Sequence, residues 1–404
     1  MTGSPASNPA APVVDRRLFA ILLIVFVNVT GAGMIIPLLP LFAQDSFDMD
    51  PKVITLLFSS FFIAQMIAAP TLGRLSDRFG RLPILLISQI GTAISFVLLG
   101  AAQSVIMLFA ARILDGITGG NISVAQAYVT DVTPPEKRTI SLGYVFASFG
   151  LGFIVGPALG GLLASSLGPR LPFYFAAGIA LLTFLLTWFT LEESRTDEHR
   201  QAHQAAGHPG LKLAAVRRNR ALSLVLLVVF AVQLSLGLLQ STFALVGEAV
   251  WFTALEPNRV ALAVGILLMV VGVAQFLTQS LVLRPLLKRF HERRLVVAGA
   301  AAMFGGMLFY AFAQTAQAAA FGAILFPFGL GISMPSLQSL ATHTVPPEQR
   351  GEVIGVYQSA ASLAIIIGTA IGGTLFEISP AAPYWVGSGL AVGALILAIV
   401  QHTD

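Results

Sequence analysis

The chain has 404 residues, of which 56% are hydrophobic and only 10% charged, whereas a soluble domain carries roughly 25% charged residues. With a mean hydropathy of +0.84, so few charges cannot cover a soluble fold of this length, and lipid must be the solvent for most of the surface. The formal net charge of +4 is no nucleic-acid signal, and the lack of cysteine excludes a disulfide framework or a thiolate metal site.

Residues 1–15 are small, polar and proline-containing, with no basic segment or cleavage site beside a short apolar core; they predict a disordered cytoplasmic tail over 1–17. Apolar runs of about 20 residues, the length that spans a bilayer, follow at 18–42, 53–74, 83–102, 104–130, 139–164 and 172–191. After a polar interval they resume at 220–248, 260–283, 295–314, 318–342, 352–376 and 384–401. The predicted fold is therefore all-α and polytopic, with twelve transmembrane helices in two six-helix bundles, 18–192 and 220–404, joined by a cytoplasmic linker over 193–219. The linker's charges are mixed and unpatterned, and His199, His203 and His208 within it have no rigid frame, so neither a metal site nor any cofactor is expected. If loops alternate sides, 19 of the 23 Lys and Arg fall with the N-terminus and the even-numbered loops, and three, Lys52, Arg170 and Arg259, fall opposite. That asymmetry predicts a multi-pass protein of the cell membrane with both termini cytoplasmic.

Between the second and third spans lies the charged island Gly73-Arg-Leu-Ser-Asp77-Arg78-Phe-Gly80-Arg81. A second copy, Pro285-Leu-Leu-Lys288-Arg289-Phe290-His-Glu-Arg293, lies 211 residues on, with Lys288 in the place of Asp77. Thr133-Pro-Pro-Glu136 likewise recurs as Val345-Pro-Pro-Glu348, and Gly143, Gly156, Gly160 and Gly161 recur as Gly355, Gly368, Gly372 and Gly373, at an offset of 212. The chain is a duplicated half. The pattern Gly-x-Leu-x-Asp-Arg-x-Gly-Arg resembles the signature loop of the major facilitator superfamily. That likeness implies a substrate site at the interface of two pseudo-symmetric bundles, with alternating access by rocking. Asp77 is expected near the inner end of the eleventh span, whose first amides after Pro347 carry partial positive charge, and Arg81 near Asp131, as a latch on the outward-facing state.

The fifth span reads Gly150-Leu-Gly152-Phe-Ile-Val-Gly156-Pro157-Ala-Leu-Gly160-Gly161. Its small residues admit a neighbouring helix and Pro157 removes one backbone hydrogen bond; on physics alone, a packing seam and a gating element both remain open. The pattern resembles the motif of the drug:proton antiporter branch, which favours gating. In the fourth span, Arg112 and Asp115 lie about 12 and 16 Å from its start at Ser104, well inside a core of ~30 Å. Two readings stand for them: a buried ion pair that merely neutralises itself, or a proton relay in which protonating Asp115 frees Arg112. Arg112 matches the family position linked to proton coupling, whereas Asp115 rests on the depth argument alone. Glu248, about 40 Å along the seventh span, is expected at the outer interface and is the second choice for the proton site.

Asn28-Val-Thr-Gly31-Ala-Gly33-Met-Ile-Ile-Pro37 of the first span, together with the region through Glu193-Ser194, resembles the tetracycline-efflux group. One position departs. Those exporters carry an aspartate where this chain has Asn28, so the likeness does not by itself carry over tetracycline recognition or a proton site there. Gln65, Gln126, Gln233, Gln240, Gln338 and Gln358 join Asn28 as candidates for lining a cavity, although each also suits a helix-packing hydrogen bond. The expected function is proton-coupled export of lipophilic small molecules by a monomer. An importer or facilitator of a polar nutrient is the alternative. A membrane enzyme or receptor is more remote, since the chain has neither a phosphate-cradling Gly-Lys-Ser/Thr loop nor a His-Glu-x-x-His.

Overall fold

An apolar run in lipid must satisfy its backbone amides internally, and among the described residues this chain does so with helices. The computed structural model describes residues 16–119, 121–134, 138–194, 219–346 and 349–403. Most of the expected tail, the linker residues 195–218 with their three histidines, and parts of both Pro-Pro-Glu segments (135–137 and 347–348) lie outside the described residues.

The first half comprises α1 (Arg16–Phe47), α2 (Pro51–Phe79), α3 (Arg81–Gly100), α4 (Val105–Thr118), α5 (Asn121–Val132), α6 (Arg138–Leu167) and α7 (Leu171–Thr190). The second comprises α8 (Arg220–Val246), α9 (Pro257–Leu277), α10 (Leu283–Arg289), α11 (Glu292–Phe312), α12 (Ala316–His343), α13 (Arg350–Ile378) and α14 (Ala382–Thr403). Among the described residues, eleven helices are long and apolar enough to cross a membrane. The expected fourth span is the exception, because it is two helices and not one. Its break falls at Gly119, whose carbonyl accepts from the Gln65 side chain at 3.0 Å and which lacks a side chain to hold it in a helix. Hydropathy records only an unbroken apolar run there.

Two π turns interrupt the second half, at Gly247–Trp251 and Thr278–Val282. The latter precedes Pro285, which would clash with the carbonyl of Leu281 in a regular helix, so the widened turn relieves the strain.

The repeat is visible in the packing. A Cβ added at Gly156 would lie 2.6 Å from the Thr30 carbonyl, and one at its counterpart Gly368 would lie 2.4 Å from the Leu234 carbonyl. Both glycines therefore seat a helix of their own half, α1 against α6 and α8 against α13. Gly161 and Gly373 instead face the other half: their added Cβ atoms would meet the Ala261 carbonyl at 2.6 Å and the Pro51 carbonyl at 2.3 Å. Two seams, α6 on α9 and α2 on α13, thus join the halves. Across the α2–α13 seam Thr55 Oγ1 accepts from the Gly373 amide at 3.1 Å and the hydroxyls of Ser59 and Thr369 stand 2.9 Å apart. The Lys52 amide donates to Glu377 Oε1 at 3.3 Å. All these contacts lie at the end away from the basic loops. Toward the basic end, a Cβ at Gly143 of α6 or Gly355 of α13 meets nothing within 4 Å.

Candidate functional site

The close approach of α4 to α2 fixes the buried charges. Gly116 makes it possible, since a Cβ there would stand 2.4 Å from the Phe61 carbonyl. Ser104 caps α4 by accepting from the Met107 amide, and two turns later the helix presents Arg112 and Asp115 on neighbouring positions of one face. Arg112 Nη1 donates to Asp115 Oδ2 at 2.7 Å, and the two residues are 7% and 6% exposed. The guanidinium lies over the Phe61 ring of α2, 4.3 Å from its centroid, and Ser95 of α3, whose hydroxyl donates to the Thr92 carbonyl at 2.8 Å, neighbours the carboxylate. Arg112 Nε has no partner among the described residues. A buried cation thus holds one carboxylate and one aromatic face, an arrangement that exposes uncompensated charge if the carboxylate is neutralised. One turn on from Asp115, the helix breaks at Gly119. Irregular backbone inside a membrane protein is tolerated where it is satisfied by neighbours, and here Gln65 supplies the bond.

A second cluster closes the basic end of the first half. Gly80 has φ of +105°, a conformation that favours glycine, and it turns the chain from α2 into α3. Arg81 is thereby buried and reaches Asp77 Oδ1 at 2.9 Å, Asp131 Oδ2 of α5 at 3.1 Å and the Ser76 hydroxyl at 2.6 Å. The expected meeting of Arg81 with Asp131 is present. Asp77 pairs with Arg81 in this state, and the first amides of the eleventh span lie partly outside the described residues. Exposed Arg78 lies over the Phe79 ring at 5.2 Å. Glu193, which the sequence offered only as the end of a resemblance, caps α3: its carboxylate accepts from the Arg81 and Leu82 amides at 2.9 and 3.1 Å. Arg17 and Glu192 form an ion pair beside it, and Tyr128 donates to the Glu192 carbonyl at 3.0 Å. A carboxyl pair at a helix start was detectable only as Glu192-Glu193 following an apolar run.

In the fifth span Gly152, Gly156, Pro157 and Gly160 line α6 where it meets α1 and α9. A Cβ at Gly152 would stand 2.8 Å from Val29 Cβ, one at Gly160 2.7 Å from the Met34 carbonyl, and one at Gly265 of α9 2.3 Å from the Pro157 carbonyl. Most of the signature segment is the end of α2 and not a loop, with Gly80 alone connecting it to α3, and Gly73 within it is spacious, with nothing within 4 Å of an added Cβ. The amides are dispersed: Asn28, Gln65, Gln126, Gln233, Gln240 and Gln338 are half-buried and Gln358 exposed. No hydrogen bond among the described residues joins any two of them. Glu248 lies in the first π turn, half-buried, with Asp45 as its electrostatic neighbour.

Comparison with known proteins agrees with this architecture. The family model of the Major Facilitator Superfamily matches residues 21–368 and 258–402. Tetracycline resistance protein, class C, from Escherichia coli is 32% identical over 384 residues, spanning 95% of this chain and 94% of that protein. Multidrug resistance protein 2 from Bacillus subtilis (strain 168) is 28% identical, over 96% of this chain and 95% of its own. The crystal structure of the human organic anion transporter MFSD10 superposes with a TM-score of 0.70 at 21% identity, covering 96% of this chain and 100% of that one, which supports the shared fold. With family model, relatives and fold matching from end to end, the chain belongs to the Major Facilitator Superfamily.

Proposed function

We propose that the chain is a secondary active transporter that exports lipophilic small molecules from the cytoplasm in exchange for protons. The observation that carries this reading is the full-length match to proteins named for tetracycline and multidrug resistance. The buried Arg112–Asp115 pair supports it as the coupling element, because a carboxylate inside a membrane bundle is costly and rare, and a paired one can take up a proton only by releasing its cation. The signature-loop cluster and the glycines that face the other half, Gly161 of α6 and Gly373 of α13, are the gating elements, and the dispersed amides with Asn28 line the path of the substrate. The basic end is cytoplasmic by the distribution of Lys and Arg. In that orientation the α2–α13 contacts shut the outer side, and alternating access requires them to part.

Inverted membrane vesicles test this. With the lumen acid, adding substrate from a panel of dyes and drugs is expected to alkalinise the lumen while the compound accumulates there, and a protonophore is expected to abolish both. Movement of a sugar or nucleoside with no response to the dyes would favour the nutrient importer instead.

The gating cluster makes a separate prediction. Asp77→Asn leaves Arg81 with Asp131 and Ser76, so the fold has two anchors and protein abundance stays near wild type. Transport is expected to fall at least tenfold, because the charge that would meet the inner end of α13 in the opposite state is gone. Turnover equal to wild type sinks the latch.

A further inference from the structure

The second copy of the signature loop has lost its acid, and the consequence is a cluster of unpaired cations. Arg284, Lys288 and Arg289 surround a cavity of about 420 Å³ together with Ser280, Leu281 and Pro285. In the first half the corresponding cluster is neutralised, with Arg81 holding both Asp77 and Asp131. In the second, Lys288 replaces the acid, and among the described residues none of Arg284, Lys288 and Arg289 has an ion pair or hydrogen-bond partner. The nearest acid in sequence, Glu292, is engaged elsewhere: it accepts from the Ser339 hydroxyl of α12 at 2.7 Å. The Ser280 hydroxyl donates to the Phe276 carbonyl and so offers no proton to a ligand.

Depth places this cavity. From Pro257, the first residue of α9, Ser280 is about 35 Å along the helix axis and Arg284 about 40 Å, and the hydrocarbon core is ~30 Å within a ~40–45 Å bilayer. The cations therefore stand in the head-group layer, while the residues one turn earlier stand at its apolar edge. Leu281 is 64% exposed, and exposed Leu277, Leu287 and Phe290 extend the apolar surface beside it. A charged mouth with an exposed apolar flank at head-group depth matches a lipid, in which a phosphate and an acyl chain are joined. A free phosphate would use the cations but leave the flank unexplained.

We infer that Arg284, Lys288 and Arg289 form a binding site for the phosphate head group of an anionic phospholipid at the exposed basic end of the second half. Only the choice of leaflet, the cytoplasmic one, rests on the orientation proposed above. Each arginine is able to fork onto two phosphate oxygens, and Lys288 adds a compact charge between them.

The test uses the full chain in nanodiscs containing equal parts of phosphatidylglycerol and phosphatidylethanolamine with the same acyl chains, followed by native mass spectrometry of the released protein. Wild type is expected to retain phosphatidylglycerol in clear preference. Neutralising all three cations (Arg284→Gln, Lys288→Gln, Arg289→Gln) is expected to erase that preference, at roughly fivefold per charge or on the order of a hundredfold together. Arg259→Gln, a charge removed at the opposite end, is expected to change nothing. Should the triple variant fail to fold, Lys288→Asp restores the acid of the first half at one position and is expected to lower retention by itself. Inorganic phosphate at millimolar concentration, titrated against wild type, is expected not to displace the lipid. Equal retention of both lipids by wild type, retention by the variants at the wild-type level, or displacement by inorganic phosphate would each overturn the assignment.

Discussion

Asp115→Asn is expected to abolish uphill, proton-driven accumulation in inverted vesicles, lowering the accumulation ratio on the order of a hundredfold, while downhill exchange of the same substrate remains measurable. Asn fills the space of the carboxylate and keeps an acceptor for Arg112 Nη1, so the packing of α4 against α2 and α3 survives. It cannot cycle a proton. Arg112→Ala is expected to be worse, because it strands the buried Asp115 without its cation and empties the face of Phe61. Breaking a buried pair from one side costs about 3–5 kcal/mol, enough to lower folded protein as well as transport. Arg112→Lys is no rescue, since an ammonium cannot reach the carboxylate and lie flat on the ring together. The decisive variant removes both charges at once. Arg112→Gln with Asp115→Asn leaves no buried charge at this site, so the fold is expected to return to near wild-type abundance. If the pair only neutralises itself, this double variant also transports with full proton coupling, and the relay is wrong. If the pair couples, the double variant folds, exchanges downhill, and leaves lumenal pH unchanged when substrate is added.

Much of this site was legible in the chain, and the parts that were not have physical causes. Helix rise alone put Arg112 and Asp115 well inside the expected fourth span, because distance along a helix is linear in residue number, and both are buried. The signature loop put Arg81 near Asp131. What escaped were the partners contributed by other helices: Phe61 and Ser95 are ordinary apolar and small residues of spans whose rotation no hydropathy pattern fixes. The break after Thr118 escaped for a related reason. Gly119 is apolar enough to continue a run, and only the Gln65 bond from α2 reveals that its carbonyl has left the helix. The π turn before Pro285 escaped as well, since an apolar run carries no record of its hydrogen-bond register. Glu193 was read as the edge of a polar interval, whereas its carboxylate ties the start of α3 to the end of α7. The repeat exposed the glycines as equivalent pairs, yet the offset could not say which pair packs within a half and which packs between halves.

That distinction yields the other large effect, since one motif holds both kinds of glycine. Gly156→Leu places a Cβ within 2.6 Å of the Thr30 carbonyl and 3.0 Å of Gly33 Cα, all backbone of the same half, with three further carbons to accommodate. No rocking of one half against the other relieves this contact, so the penalty of about 3 kcal/mol or more is carried in every state, and folded protein is expected to fall sharply. Gly373→Val meets the Pro51 carbonyl at 2.3 Å and Lys52 Cα at 2.5 Å, which belong to the other half. That clash exists only while the α2–α13 seam is shut. A penalty of about 3 kcal/mol confined to one state moves the two-state ratio roughly a hundredfold, so Gly373→Val is expected to fold normally, to sit with this seam open, and to export slowly. Because the chain has no cysteine, Ser59→Cys on an otherwise native background reports the seam cleanly: Ser59 is buried against Thr369 while it is shut. Labelling of that thiol by a membrane-impermeant maleimide, added to the outside of intact cells, is expected to rise severalfold in Gly373→Val and not at all in the folded remnant of Gly156→Leu. Labelling at the wild-type rate in Gly373→Val would show that the seam does not open in the transport cycle, and the gating role of the repeated glycines would fall with it.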